Sequence, residues 1–217
     1  RVRSPSRGLG DVYKRQVKAS CDSAATVKEK YPDALLLGET WGDADRLVSG
    51  NRLDCAMNYL FKDAVTDWIA KDKISVSTFD QRINRMLSLY PQETNLRMYN
   101  PLDSHDTARF LFSCGNDIAR LRLGVALQMT LPGCPAIFYG DEIGITGDND
   151  PLCRQAMQWD MHSHEIIPLY HFCFHLPQQN RRRPSLFPTL FSKSRESAHP
   201  CWPNFPGCCL TQKQYTI

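Results

Sequence analysis

Short apolar runs alternate with longer amphipathic segments between residues 24 and 140, and this alternation most constrains what the chain can fold into. The run Ala34–Leu37 lies between Pro32 and Gly38, which is typical of a strand buried on both faces. Similar runs predict three further strands, within residues 53–59, 96–102 and 134–140. Strands that alternate with helices predict βα units and a parallel sheet.

Three segments between these runs have the apolar period of a helix. One predicted helix has its apolar positions at Phe61, Ala64, Val65, Trp68 and Ile69. A second runs from about Ser77 to Pro91, and the pair Ser77 and Asp80 suggests a capping box at its start. A third ends near Thr130, with Asn116 or Asp117 as its N-cap. These helices supply the crossovers that a parallel sheet requires.

Polar clusters follow three of the predicted strands at their carboxyl ends. They consist of Glu39 after the first strand, His105 and Asp106 after the third, and Asp141 and Glu142 after the fourth. Parallel α/β folds place their chemistry at this edge of the sheet. The chain contains neither GxGxxG nor GxxxxGK[ST], which argues against a nucleotide-binding sheet and favours a barrel.

The bulk composition excludes several function classes. The formal net charge is +3 and 23% of residues are charged, a balance that predicts neither a nucleic-acid partner nor an anionic membrane surface. No apolar run approaches the about 20 residues of a membrane span. Five cysteines are scattered singly through periodic segments, which suits free thiols in a reducing compartment and predicts a cytoplasmic location, and the Cys spacing predicts no zinc site.

The two ends of the chain do not resemble its middle. Residues 11–16, DVYKRQ, match the translation of a transposon adaptor used in sequencing libraries, so we interpret residues 1–16 as a non-native leader or, alternatively, a flexible basic one. Residues 161–217 are rich in Pro and Cys and are interpreted as a divergent or frame-shifted tail. Within that tail, EIIPLYHF remains a candidate helix start. Residues 17–160 are therefore predicted to hold the fold.

Three motifs in this middle region, LLLGETW, LDSHDTARFL and GCPAIFYGDEIGITGDNDPLCRQAMQWD, resemble the α-amylase family of glycoside hydrolases, glycoside hydrolase family 13. The last motif most resembles the neopullulanase and cyclomaltodextrinase branch. The resemblance covers about residues 24–160, with the motifs in the family's order. It implies a (β/α)8 TIM barrel that cleaves α-glucosidic bonds with retention, of which this chain holds the C-terminal half, strands five to eight.

The resemblance also implies roles for individual residues. In that family a Glu after the fifth strand is the general acid/base and matches Glu39, and a Trp two positions later shapes the acceptor side and matches Trp41. A His-Asp pair after the seventh strand binds the sugar at the cleavage subsite and stabilises the transition state, and it matches His105 and Asp106. An Asp and an Arg after the eighth strand hold the same sugar, and they match Asp150 and Arg154.

The residue types suit this chemistry. Cleavage of an acetal needs a proton donor for the leaving oxygen, and burial can raise the pKa of a Glu that follows an apolar strand. It also needs negative charge beside the developing oxocarbenium ion. Arg orients oxygen-rich groups through bidentate hydrogen bonds. Cofactors are not implied, although calcium could bind outside this half.

Each candidate also has a purely structural interpretation. Glu39 could serve as a cap or helix-dipole partner, and Asp106 could cap a helix that starts at Thr107. Trp41 could belong to the core. Asp150 could simply begin a turn, with Arg154 as a solvated neighbour. We interpret Asp141 and Glu142 as residues that orient loops rather than contact substrate.

A retaining glycosidase needs a second carboxylate as nucleophile, and the sequence offers no good match for it. In the family this is an Asp after the fourth strand, with an Arg two positions before it. The corresponding stretch here is 8–11, where Asp11 has no strand and no such Arg before it. We therefore reject Asp11 and expect the chain by itself to be inactive.

The motifs leave the substrate open. The predicted substrate is an α-glucan oligosaccharide such as a maltodextrin, a cyclodextrin or a pullulan-type glucan. Oligo-1,6-glucosidase or another α-glucosidase is the near alternative. A non-catalytic carbohydrate-binding relative of the barrel is the alternative of another class. The oligomeric state is not predicted.

Overall fold

The structure is a computed structural model that describes residues 24–49, 52–160 and 166–175, all within one compact unit spanning Arg1–Gln178. The described residues form four short strands: β1 Leu37–Gly38, β2 Cys55–Ala56, β3 Tyr99–Pro101 and β4 Cys134–Ala136. β1 pairs with β2 and β3 with β4, both in parallel. A parallel bridge between Met57 and Tyr99 joins the two pairs. The predicted parallel pairing of strands is thus confirmed, and the described residues do not form a closed barrel.

Eight α-helices precede, connect and follow the strands of the described residues. They are α1 at residues 24–30, α2 Asp45–Val48, α3 Tyr59–Val65, α4 Val76–Ser88, α5 Gln92–Arg97, α6 Phe110–Ser113, α7 Ile118–Thr130 and α8 Ile166–His175. A π-helical turn, Thr66–Ala70, continues α3, and two 3-10 turns, Asp141–Ile143 and Leu152–Arg154, follow β4. At least one helix lies between each pair of consecutive strands, as parallel pairing requires.

The strands are shorter than the apolar runs predicted. Residues 34–36 do not extend β1, although Leu36 accepts hydrogen bonds from Asp54 N and Cys55 N. The run predicted as the third strand begins inside α5, a helix that the sequence analysis missed, since Arg97 is its last residue. Pairing is limited to the few residues that lie opposite a neighbouring strand, so apolar runs overestimate strand length.

The helix starts correct one prediction and confirm another. The helix predicted from Ser77 begins at Val76, and Ser75 is its N-cap, because Ser75 Oγ accepts from Thr78 N at 3.2 Å. The capping box of Ser77 and Asp80 was therefore wrong. α7 begins after Asp117, one of the two predicted N-caps. Asp117 Oδ1 accepts from the backbone N–H groups of Ala119 and Arg120 in the first turn.

The alternative role of Asp106 as a helix cap is wrong. No helix starts at Thr107, since α6 begins only at Phe110. The carboxylate that serves this helix is Asp103, whose Oδ2 accepts from Phe110 N at 2.6 Å. Capping by Asp103 leaves the side chain of Asp106 available for other contacts.

The main core is formed by apolar side chains of α3, α4, α6 and α7. Its most buried members include Phe61, Val65, Phe110, Leu121 and Val125. Ile166 and Tyr170 of α8 join this core, so the predicted helix start within EIIPLYHF is confirmed. The leader, residues 1–16, and the rest of the proposed tail lie outside the described residues.

Buried amide side chains join neighbouring strands at their carboxyl ends. Asn58 Nδ2 donates to Asn100 Oδ1 at 2.8 Å, which connects the N-cap of α3, two residues after β2, to the middle of β3. Gln128 Nε2 donates to the carbonyls of Asn100 and Ala136, at 3.0 and 2.8 Å. Because buried polar groups need partners, these bonds fix α7 and three strands relative to one another.

Candidate active site

Glu39 and Trp41 lie directly after β1, at the carboxyl edge of the sheet, and both side chains face Tyr59. The Tyr59 hydroxyl donates to Glu39 Oε1 at 3.3 Å. The Trp41 ring stacks on the Tyr59 ring with centroids 4.2 Å apart and planes 25° apart. Tyr59 itself is fully buried, whereas Trp41 is 58% exposed. Trp41 is therefore not a core residue, and its outer face is open to solvent.

Tyr59 also reaches the loop after β3. Its hydroxyl lies 3.4 Å from Ser104 Oγ, and that oxygen accepts from Asp106 N at 3.2 Å. Burial raises the pKa of Tyr59 to about 12, and the negative charges of Glu39 and Asp106 add to this effect. The phenol thus stays protonated at neutral pH and remains able to donate to Glu39. Through Ser104 it also links the loop of Glu39 to the loop of Asp106.

Two cationic or basic groups hold the two oxygens of the Asp106 carboxylate. Nη2 of Arg154 lies 3.0 Å from Asp106 Oδ1, and Nε2 of His105 lies 3.2 Å from Asp106 Oδ2. Nε of Arg154 lies 3.2 Å from Asp150 Oδ1 and donates to the His105 carbonyl at 3.0 Å. The four residues predicted after β3 and β4 therefore meet in one cluster, and Arg154 is more than a solvated neighbour of Asp150.

Asp141 and Glu142 orient loops, as predicted. Asp141 is buried and bound to Arg109, while Glu142 Oε2 accepts from Gly140 N at 2.8 Å. Burial raises the pKa of Asp141 well above its usual value, with the neighbouring Asp103 adding to the shift, and burial likewise raises the pKa of Glu142. Asp141 is thus buried and paired with Arg109, whereas Glu142 is partly exposed and bonded to its own loop.

Sequence reasoning missed Tyr59, Ser104 and Arg109. Tyr59 begins α3, three residues after β2, and it ends the apolar run predicted as the second strand, residues 53–59. Its place at the end of that run was a usable signal, because side chains there lie at the carboxyl edge of the sheet. Ser104 lies inside the motif LDSHDTARFL, between Asp103 and His105. The sequence signal for Arg109 was weaker: it is a single cation directly before the apolar residues of α6. The structure shows that its side chain is fully buried.

Two further features are absent from the described residues, a metal-binding cluster and a membrane-spanning helix. No three or more His, Cys, Asp or Glu side chains of that part of the chain come together in a way that could hold a metal ion. Within the same ranges, none of the helices has the length and apolar character needed to cross a membrane.

Comparisons with known proteins agree with this arrangement of strands and polar residues. The chain is 47% identical over 134 residues to neopullulanase 2 of Thermoactinomyces vulgaris and 45% identical over 134 residues to a cyclomaltodextrinase of Geobacillus thermopakistaniensis. Each alignment covers 62% of this chain and 23% of the relative, so the chain spans about a quarter of the length of these proteins.

A solved structure of a cyclomaltodextrinase superposes with a TM-score of 0.71 at 36% identity, covering 74% of this chain and 28% of that one. The resemblance to the neopullulanase and cyclomaltodextrinase branch is thereby confirmed. The family model described as alpha amylase, catalytic domain, matches residues 14–167. This protein belongs to the alpha-amylase family of glycoside hydrolases.

Proposed function

We propose that this protein acts on α-glucosidic bonds in maltodextrins, cyclodextrins or pullulan-type glucans, with Glu39 as the general acid/base and Asp106 as the stabiliser of the transition state. The observation that carries the proposal is that the Tyr59 hydroxyl contacts both Glu39 Oε1 and Ser104 Oγ, the oxygen that accepts from Asp106 N, at one edge of the sheet. The two come from segments that follow different strands and are far apart in the sequence. This is the placement that chemistry at the carboxyl end of a parallel barrel requires.

In this proposal Glu39 gives its proton to the leaving glycosidic oxygen and later takes one from the attacking water. The donor bond from Tyr59 orients the Glu39 carboxyl group at the carboxyl edge of the sheet. Trp41 offers its open face for stacking against a sugar ring on the acceptor side. Both residues act from one short loop, so a single segment supplies proton transfer and acceptor binding.

Asp106 supplies negative charge beside the developing oxocarbenium ion. Arg154 and His105 fix the two oxygens of its carboxylate at about 3 Å, so the charge needs little reorientation during the reaction. Asp150 holds Arg154 from the other side and remains 63% exposed. Its remaining oxygen is therefore free of that ion pair and is available to sugar hydroxyls.

We further propose that the four strands are the last four of an eight-stranded barrel. Retention then requires a nucleophilic Asp on the strand that would precede β1, about 5–5.5 Å from the acid. Asp11, already rejected on its sequence context, lies outside the described residues. This proposal predicts that residues 17–160 alone do not hydrolyse maltodextrins, and robust cleavage by that purified fragment would refute it.

The main test uses the complete gene product with maltotriose, a cyclodextrin, pullulan and an α-1,6-linked isomaltooligosaccharide. Glu39→Gln should lower kcat by about 10²- to 10⁴-fold, the usual contribution of a general acid/base. Asp106→Asn should lower it by about 10²- to 10³-fold, as for other electrostatic stabilisers. Glu93→Gln, at an exposed carboxylate on α5, is the matched control and should retain full activity.

The product configuration and the bond preference separate the alternatives. Retention of the α-configuration, followed by proton NMR, supports the double-displacement mechanism, and inversion contradicts it. Preferred cleavage of the α-1,6-linked substrate would favour an oligo-1,6-glucosidase. Binding of all four glucans without hydrolysis would instead favour a carbohydrate-binding protein and refute the catalytic proposal.

A further inference from the structure

Arg109 lies fully buried three residues after Asp106, and its guanidinium group binds two other segments. Its Nη1 donates to the Tyr139 carbonyl at 2.7 Å and pairs with Asp141 Oδ1 at 3.0 Å. Its Nε donates to the Cys153 carbonyl at 2.9 Å. One side chain therefore connects the loop after β3 to both parts of the segment after β4.

The bond to Cys153 fixes the peptide that leads into Arg154. The same turn is held from its other side by His105, whose carbonyl accepts from Cys153 Sγ at 3.2 Å and from Arg154 Nε at 3.0 Å. The position of the Arg154 guanidinium then determines its 3.0 Å contact with Asp106. A continuous set of contacts thus runs from Arg109 through Cys153 and Arg154 to Asp106.

The surroundings of Arg109 require a guanidinium group rather than any cation. Its Cζ lies 3.9 Å from the ring centroid of Phe138 and 4.8 Å from that of Tyr139, so the planar group packs against aromatic rings. The Asp141 carboxyl group accepts from the buried guanidinium at 3.0 Å and offsets part of its desolvation cost. A Lys can keep this charge, but its ammonium group cannot reproduce the planar fork that reaches both carbonyls.

We propose that Arg109 is a positioning residue that sets the geometry of Arg154 and, through it, of Asp106. The inference rests on the proposed function for its kinetic consequence, but its structural consequence does not depend on that function. Arg109 itself has no exposed surface, so we assign it no direct contact with a substrate.

The test compares Arg109→Lys with Arg120→Lys in the complete gene product. Arg120 is a matched control because it also bonds two backbone carbonyls, of Ile69 and Ala70, and one carboxylate, of Asp72, but it lies on α7. Arg109→Lys should lower kcat/KM for maltotriose about 10- to 100-fold, mostly through kcat, because displacement by about 1 Å can cost this much. Arg120→Lys should leave kcat/KM unchanged.

A double-mutant cycle separates positioning from general structural damage. If Arg109 acts through Arg154, the variant carrying both Arg109→Lys and Arg154→Ala should be no less active than Arg154→Ala alone. Independent, multiplying losses would overturn the proposal, as would an Arg109→Lys variant that keeps kcat/KM within twofold of the wild type while Arg154→Ala does not.

A crystal structure of Arg109→Lys gives a test that needs no hydrolysis. We expect the contact between Arg154 Nη2 and Asp106 Oδ1 to be lost, and its retention at 3.0 Å would overturn the positioning role. An inactive wild type would refute only the proposed function. If Arg109→Lys does not fold, a double variant carrying Arg109→Gln and Asp141→Asn replaces the buried ion pair by two neutral amides. The contact between Arg154 Nη2 and Asp106 Oδ1 should be lost in this variant as well.

Discussion

The hydroxyl of Tyr59, a fully buried residue, donates to Oε1 of Glu39 at 3.3 Å, while its ring supports Trp41. Tyr59→Phe removes the donor and keeps the stacked ring. A hydrogen bond of this kind contributes about 0.5–1.5 kcal/mol, so kcat for maltotriose should fall by roughly 2- to 12-fold. Steady-state kinetics on the complete gene product measure this change. Tyr31→Phe, at an exposed tyrosine, should change nothing, and an unaltered kcat for Tyr59→Phe would show that the bond does not orient Glu39.

Trp41 should contribute to binding more than to folding. It is 58% exposed and its inner face already rests on Tyr59, so its removal leaves no core cavity. Trp41→Ala should raise the Kd for maltotriose, measured calorimetrically, by roughly 2- to 12-fold, the equivalent of about 0.5–1.5 kcal/mol for a stacked aromatic contact. Trp41→Phe keeps a ring and should recover most of the affinity. A lower melting temperature for Trp41→Ala with unchanged Kd would contradict the substrate-stacking role.

The alternation of apolar runs with helical periods predicted the parallel sheet and the main helices, because helices such as α3, α4 and α7 bury an apolar face in the core. The first run is not buried on both faces as predicted, since Leu35 and Leu37 are each 43% exposed. The alternation overestimated strand length, as in β1, because pairing depends on a neighbouring strand rather than on the run itself. It also missed α5, which is only six residues long and has little apolar period. Short elements depend on the contacts around them, which a sequence window does not contain.

The sequence likewise predicted some residues of the candidate site and missed others. Glu39, His105 and Asp106 were predicted because each follows an apolar run, and the common edge of a parallel sheet brings such positions together. The contacts of Arg109 were missed, since two of its three partners are the backbone carbonyls of Tyr139 and Cys153. Carbonyls carry no residue-specific signal, so contacts to them appear only in three dimensions.

The buried pair Asp103 and Asp141 should make stability depend on pH. Burial raises the pKa of both carboxyl groups, so the folded state binds protons more tightly than the unfolded state. The stabilisation from these protons is fully present below the ordinary Asp pKa of about 3.9 and is lost as the pH rises through the raised values. Asp141→Asn removes one of the titrating groups. Its free energy of unfolding, relative to the wild type, should therefore increase as the pH rises above about 4.

Urea denaturation at several pH values between about 4 and 8 measures this difference. Asp80→Asn, at an exposed carboxylate on α4, serves as the control and should follow the wild-type pH dependence. A difference between Asp141→Asn and the wild type that stays constant with pH, or falls as the pH rises, would show that burial does not raise the pKa of Asp141.

Gly124 lies in the middle of α7, where Ala should favour the helix by about 1 kcal/mol. The structure predicts the opposite result, because a Cβ at this position would overlap the ring of Phe110, a buried core residue. Overpacking of this kind costs about 1–3 kcal/mol, so Gly124→Ala should lower the free energy of unfolding despite its better propensity. Adding Phe110→Leu frees space at that point and should return part of the loss. Equal or higher stability of Gly124→Ala alone, measured by thermal denaturation, would show that Phe110 can move away and that α6 and α7 are less tightly packed than the structure indicates.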